Sequence, residues 1–377
     1  MNARIAPILA VIFILTFAAS GCTSNDTSET VVKSSEGLSI EFQPGAPPEQ
    51  VSEDDPSFEA SIKLDNMGEY DIKLSEAVYD EVTGKLVSGE QPISVFLLGV
   101  NPATLDLCET VTTTVPKTVD GVETTEEVET QVCNTELVFE DGLGGAHYVN
   151  NELIPGELTY VNWESPTGSA LQYALDISSD QQLNFVAQVC YPYRTTAITE
   201  ACFSDNAYAQ TTGSETCTVS GDKDASNTIA PIKVTNIVEN PAGKVGNTGK
   251  YAFTITVENT GGGSVFPYDK SIHDCTQLGV GELNANQVAV MSVKVGGVEK
   301  MECLKSEETV DDNGDTVTTY KPSRITLVDG KGTYTCTLSQ EAISGDYADV
   351  FEVVLAYNYY TQTKKEVVVK NTLNFDE

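Results

Sequence analysis

The sequence predicts an all-β protein made of two tandem β-sandwich domains, braced by disulfides, with a long β-hairpin arm in the first. Three observations carry that prediction. Short alternating runs punctuated by Gly, Pro, Asn and Asp fill the chain, and no long stretch of 3.6-residue period appears. Two pairs of segments repeat at a distance. Nine cysteines, one of them in a leader-like N-terminus, leave eight for pairing.

Residues 1–21 have an early charge at Arg4, an apolar run from Ile5 to Ala19 and small residues before Cys22, the layout of an export signal. Ala19-Ser20-Gly21-Cys22 resembles a lipoprotein processing box, with Ala19 where Leu is usual. The expectation is a lipidated Cys22 that holds the chain on the outer face of the cell membrane; an uncleaved anchor helix is the competing reading. Residues 22–36 then form a polar Ser/Thr-rich tether. Asn25 sits in its Asn-Asp-Thr sequon, a possible glycosylation acceptor.

The first domain is expected over 37–208, with its arm at 108–133. Asp120-Gly121 is a strong signal for a two-residue turn, and the index sum of Cys108 and Cys133 equals that of Asp120 and Gly121. The two cysteines therefore face each other across a ladder. Counting outward from Val119 opposite Val122 puts them on a non-hydrogen-bonded pair, the closer kind, which suits a disulfide. Pro116 falls on the same kind of position. One face of the arm carries Thr110, Thr112, Thr114 and Thr118 with Glu123, Glu127 and Glu129; the other carries Val111, Val115 and Val119. Either the Val face lies on its own sandwich, or the arm projects and binds a partner through that face or along its edge.

"FEASIKLDNMG" (58–68) aligns with "YAFTITVENTG" (251–261), offset by 193 residues, and places Asn66 on Asn259 and Gly68 on Gly261. "FVAQVCYPYRT" (185–195) aligns with "FEVVLAYNYYT" (351–361), offset by 166, and places Tyr191 on Tyr357 and Tyr193 on Tyr359. The difference of 27 between the offsets fits the 26-residue arm as an extra of the first copy, although Asn313-Gly314 suggests a hairpin in the second copy too. Because Cys190 and Cys202 align with Ala356 and Val368, they are expected to bond to each other across a closing hairpin. Of the three connectivities open to the remaining four, Cys217–Cys275 and Cys303–Cys336 are preferred, the former as a brace between the copies. A connector at 209–228 would then join a second domain at 229–377.

Strands that turn at Asn-x-Gly, as in "VENTGGGSVF", resemble the CARDB and related immunoglobulin-like modules of bacterial and archaeal surface proteins. The lipobox, acidic body and "CYPYRT" with a following Cys are similar to surface lipoproteins of archaea. The resemblance implies immunoglobulin-like sandwiches and carries no functional residue.

The chemistry-bearing residues are few. Histidine occurs twice, at His147 and His273, each without a nucleophile elbow or metal-type partner, so each is read as a surface histidine. Asp311, Asn313 and Asp315 start a calcium-loop spacing that Thr316 and Pro322 break, and a turn explains them more simply. No C-x₂-C pair exists, so neither metal nor cofactor is expected. Net charge −35, from 56 acids against 21 Lys and Arg, argues against nucleic acid and anionic lipid as partners; it suits solubility, with a salty habitat or loose cation binding as alternatives. Tyr191, Tyr193, Tyr357 and Tyr359 recur at matched positions and are read as packing groups, whereas Tyr360 and its counterpart Arg194 are candidates for contact, and Trp163 is assigned to the core. The sequence thus points to a non-enzymatic surface protein that binds another surface protein or a glycan. A self-associating envelope subunit is the alternative, ahead of a transporter's substrate-binding lipoprotein, whose α/β pattern is absent.

Overall fold

A computed structural model describes residues 36–52, 57–73, 75–79, 86–119, 122–139, 141–204, 217–276, 286–310, 316–341 and 345–371. The leader with Cys22 and Asn25, the turns at Asp120-Gly121 and at 311–315, and connector residues 209–216 lie outside the described residues. The main strands of the first half are β1 (Leu38–Phe42), β2 (Ala60–Asn66), β3 (Ile93–Leu98), β4 (Cys108–Val119), β5 (Val122–Cys133), β6 (Glu136–Phe139), β7 (His147–Val149), β8 (Glu152–Ile154), β9 (Leu158–Trp163) and β10 (Gln181–Phe203). Those of the second are β11 (Ile232–Val245), β12 (Thr248–Asn259), β13 (Gln287–Val295), β14 (Lys305–Val310), β15 (Thr316–Lys321), β16 (Ser323–Thr326), β17 (Lys331–Gln340) and β18 (Tyr347–Lys370). The described residues contain no α-helix, only short 3-10 turns.

Alternation decides the layers. Odd-numbered residues of β10 from Phe185 to Phe203 and of β18 from Phe351 to Tyr359 are buried, while most even-numbered ones are not. This odd face carries two small sheets. The β1-β2-β9 sheet packs where Phe58, just ahead of β2, meets Phe185, and the sheet of β11, β12 and β17 packs where Phe253 stacks on Phe351 and Tyr251 meets Phe203. One hydrophobic core contains residues from both halves.

The two halves therefore do not form separate tandem sandwiches. β10 pairs antiparallel with β18 along its whole length, from Gln181 opposite Val369 to Phe203 opposite Tyr347, and the described residues make one compact unit. Pro192 lies opposite Asn358, which is also its counterpart in the 166-residue repeat. A residue paired with its own counterpart marks a local two-fold axis, so the repeat is laid out as a pseudo-symmetric dimer within one chain. β3 flanks β10 as β13 flanks β18, and β6 pairs with β3 as β16 pairs with β13.

The pairing also changes the disulfides. Cys190 and Cys202 lie twelve residues apart on the one continuous strand β10, about 40 Å at ~3.3 Å per residue, and cannot bond. The closing hairpin expected between them is absent: the strand runs on without a turn, and Pro192 sits in it just beyond the last β3 pairing, at Cys190 with Ser94. Cys190 bonds Cys275 instead, and Cys202 bonds Cys217, so Cys217–Cys275 does not form. Cys190–Cys275 is the bond that ties the halves. It fastens a strap over the even face of the sheet, where Asn358 Nδ2 donates to the carbonyls of Pro267 and Lys270, and Gln91 accepts from Ile272 N–H.

Each Asn-x-Gly turn is clamped in the same way. Asn66 Nδ2 donates to the Tyr70 carbonyl at 2.9 Å, and its Oδ1 accepts from Gly68 N–H and the Tyr193 hydroxyl, both at 3.3 Å. Asn259 Nδ2 donates to the Gly263 carbonyl at 3.0 Å, and its Oδ1 accepts from Gly261 N–H at 3.2 Å and the Tyr359 hydroxyl at 3.0 Å. Tyr191 and Tyr357 accept from Leu38 N–H and Ile232 N–H. All four tyrosines are buried, and burial pushes their hydroxyls upward, Tyr359 to about 12, so they stay protonated. Gly68 admits no side chain, since a Cβ would lie 1.7 Å from the Tyr193 hydroxyl oxygen.

Asn66→Ala and Asn259→Ala each strand buried hydrogen-bonding groups, and each is expected to cost about 2–4 kcal/mol. Because the core is shared, thermal unfolding followed by circular dichroism is expected to show one cooperative transition that both substitutions lower, not two transitions of which each substitution lowers one.

Candidate functional site

The hairpin at 108–133 is rooted in the sheet and free along its shaft. The chain enters through a 3-10 turn, Pro102–Leu105, capped by Asn101 Oδ1 accepting from Ala103 N–H at 3.1 Å. Leu105 and Leu107 are fully buried, and after Cys133 the chain passes into β6, which pairs with β3. Asn134 N–H donates to the Leu107 carbonyl at 2.7 Å, so this pair is hydrogen-bonded. The next pair outward, Cys108 and Cys133, is then non-bonded, as the index count required, with Cα atoms 3.9 Å apart and a disulfide between them. The register continues to Val119 opposite Val122.

β4 and β5 form a two-stranded sheet of their own. Glu109, Thr110, residues 112–118 and residues 124–132 are exposed, and Val111 is half-buried. The arm thus projects with both faces open and does not lie on its own sandwich. Val115 is 44% exposed, and on the same face Val128 and Val132 are 39% and 49% exposed. These last two were not singled out from the sequence, although the index sum places them beside Val111, Thr113 and Glu109. The Val119 side chain lies outside the described residues. The opposite face presents Thr112, Thr114, Glu127 and Glu129. Six acids against Lys117 make the arm anionic, and the exposed Lys117–Glu126 pair at 2.8 Å adds little rigidity.

The second copy has its own hairpin in the matching place. β14 pairs with β15 between β13 and β16, exposed except for half-buried residues such as Glu307, with Val310, Val317 and Tyr320 open to solvent. Its root is held by Cys303–Cys336. Both shafts are built of Thr, Glu and Val, and neither strand pair has a further strand beside it among the described residues.

The other candidates resolve as structural groups. The Arg194 guanidinium lies 5.5 Å from the Tyr70 ring centroid on the exposed side of β10. Tyr360 is half-buried against Phe266 and the small cluster around Cys190 and Cys275, so it packs rather than forming a platform. Trp163 is in the core, at the position β17 gives to Cys336, although its indole N–H has no hydrogen-bond partner among the described residues. His147 is exposed, and its Nδ1 lies 3.4 Å from the Gly145 carbonyl. His273 is exposed on the strap, where Nδ1 meets the Glu136 carboxylate and lies 3.4 Å from Ser94 Oγ. An acid and a nucleophile on the same ring nitrogen do not make a proton relay, which needs both; the trio braces the strap to β6. No metal-type group of three or more His, Cys, Asp or Glu occurs among the described residues.

One carboxyl is unusual. Glu239 is fully buried behind the Cys202–Cys217 disulfide; both its oxygens accept from Cys202 N–H, at 3.2 and 3.0 Å, and Lys223 Nζ lies 3.1 Å away. Burial raises its pKa to about 7, outweighing the lowering by that N–H and Lys223.

Comparison with protein-family models, with curated proteins and with solved structures finds no match for this chain.

Unfolded, the Glu239 carboxyl titrates near its ordinary 4.5; folded, near 7. The folded state binds the extra proton between those values, so this group's contribution to stability declines as pH rises across that window. Glu239→Gln removes the decline. Urea titrations at about pH 4 and pH 8 are expected to shift the stability difference in the variant's favour by on the order of 3 kcal/mol at the higher pH.

Proposed function

We propose that the chain is an exported, lipid-anchored surface protein that binds another surface protein or a glycan without chemistry, and that the 108–133 hairpin is its main contact element. The observation that supports this reading is the arm itself, whose covalently closed root sits on a rigid sheet while both faces of its shaft are open. An unsupported two-stranded hairpin is marginal in water, and keeping Val115, Val128 and Val132 in solvent favours a partner that covers them. Four disulfides fit an oxidising compartment. Immunoglobulin-like modules of the CARDB kind would serve as the scaffold, here fused through a common sheet. The partner presents a cationic rim to the arm's Glu127 and Glu129. That charge pattern favours a foreign partner over the alternative of a self-associating envelope subunit, since each copy carries a net −35.

Crosslinking on intact cells, read by mass spectrometry of arm peptides, tests the reading. The native chain is expected to link through the arm to a different surface component, and a Val115→Lys/Val128→Lys variant to lose at least nine-tenths of those links. Its melting midpoint is expected to stay near that of the parent, because the substituted side chains are solvent-facing. Links confined to a second copy of this chain would favour the envelope subunit, and links only to its own sheets would remove the arm from the function.

A further inference from the structure

A second surface breaks the pseudo-symmetry. Between β16 and β17 the second half uses a short turn at 327–330, but between β6 and β9 the first half inserts residues 140–157, which include the β7-β8 hairpin. Asn150 and Asn151, with φ of 51° and 66°, form its tight turn. Tyr148, Val149, Leu153 and Ile154 are all exposed on it.

The hairpin leads into β9, an edge strand of the β1-β2-β9 sheet among the described residues. Asn66 N–H donates to the Glu157 carbonyl at 3.0 Å, marking that pair as bonded to β2. By alternation, residues 159, 161 and 163 also bond to β2, and Leu158, Tyr160 and Asn162 turn their N–H and C=O groups to the open edge. The side chains of Leu158 and Tyr160 are 49% and 54% exposed. The matching positions of β17 are Lys331, Thr333 and Thr335, set by their pairing with β12. The same edge is thus guarded by lysine and threonine in one copy and left open with Leu and Tyr in the other. Beside the far end of β9 lies a cavity of about 200 Å³ lined by Glu59, Asn162, Glu164 and Ser169 among others.

We propose that β9 is a docking edge for an extended, alternating apolar strand of a second protein, which adds to the β1-β2-β9 sheet and seats a lysine or arginine side chain between Glu59 and Glu164. Main-chain bonds at Leu158, Tyr160 and Asn162 supply affinity, and Leu158, Tyr160 and the β7-β8 apolars cover the incoming side chains. The carboxylates select a cationic strand and disfavour another copy of this acidic chain. The site is independent of the arm.

The test uses the full chain and a fluorescein-labelled hexapeptide of alternating valine and threonine ending in lysine, with a glutamate-ended peptide as control. Saturable binding by anisotropy is expected, with slowed amide exchange over residues 157–163 and at least tenfold weaker binding of the control peptide. Tyr160→Lys and, separately, Leu158→Lys are expected to weaken binding at least tenfold with unchanged melting midpoints, while Val115→Lys on the arm leaves it unchanged. Binding indifferent to both β9 variants, or no protection over 157–163, would overturn the proposal. Sedimentation showing dimers that Tyr160→Lys dissociates would also overturn it, by giving the edge to a second copy.

Discussion

The antiparallel pairing of β10 with β18, centred on Pro192 and Asn358, fixes where the rest of the chain has to lie. Its buried face receives both small sheets, and the four tyrosines at its middle reach out to clamp the first strands of each half. The opposite face is closed over the centre by the strap through Cys275. Neither half has an independent version of this sheet, because each supplies one of the two central strands. Stability is thereby pooled, and a cavity or lost hydrogen bond in one half is felt in the other.

Much of the architecture was legible because period and index arithmetic are local or linear. The alternation gave an all-β chain, the constant sum around Asp120-Gly121 gave the arm's register through to Cys108 and Cys133, and repetition identified the tyrosines as packing groups. What repetition could not convey is how the copies associate. Matched segments are compatible with two separate domains and with strands paired to each other, and only the coincidence that Pro192 lies opposite its own counterpart distinguishes them. The alignment assigns Cys190 and Cys202 to the two arms of one hairpin, but they lie on a single strand whose partner is the other copy, and that one change of partner displaces two disulfides. The docking edge at β9 was illegible for another reason. Leu158 and Tyr160 alternate like any strand residues, and nothing in the pattern says which face is covered.

Pseudo-symmetry makes the departures from it informative. Positions serving the fold are held in common, as with Asn66 and Asn259 or Tyr193 and Tyr359. Others differ in kind: Trp163 stands where Cys336 forms a bond, and the arm of the first half is far longer than that of the second. The long shaft, the β7-β8 insertion and the open β9 edge all belong to the first half, which concentrates exposed apolar side chains there. The second half reads as the plainer partner, whose role is to complete the sheet.

The closed root of the arm has a mechanical meaning. The chain itself joins β4 to β5 at the tip and Cys108–Cys133 joins them again at the root, so the shaft is a covalently closed ring. A pull at the tip is carried by both strands together and enters the body at two points, Leu107 and β6, inside the sheet. The bond keeps the strands from being drawn apart at the mount, so the arm hands its load to the sheet as one rod instead of two threads.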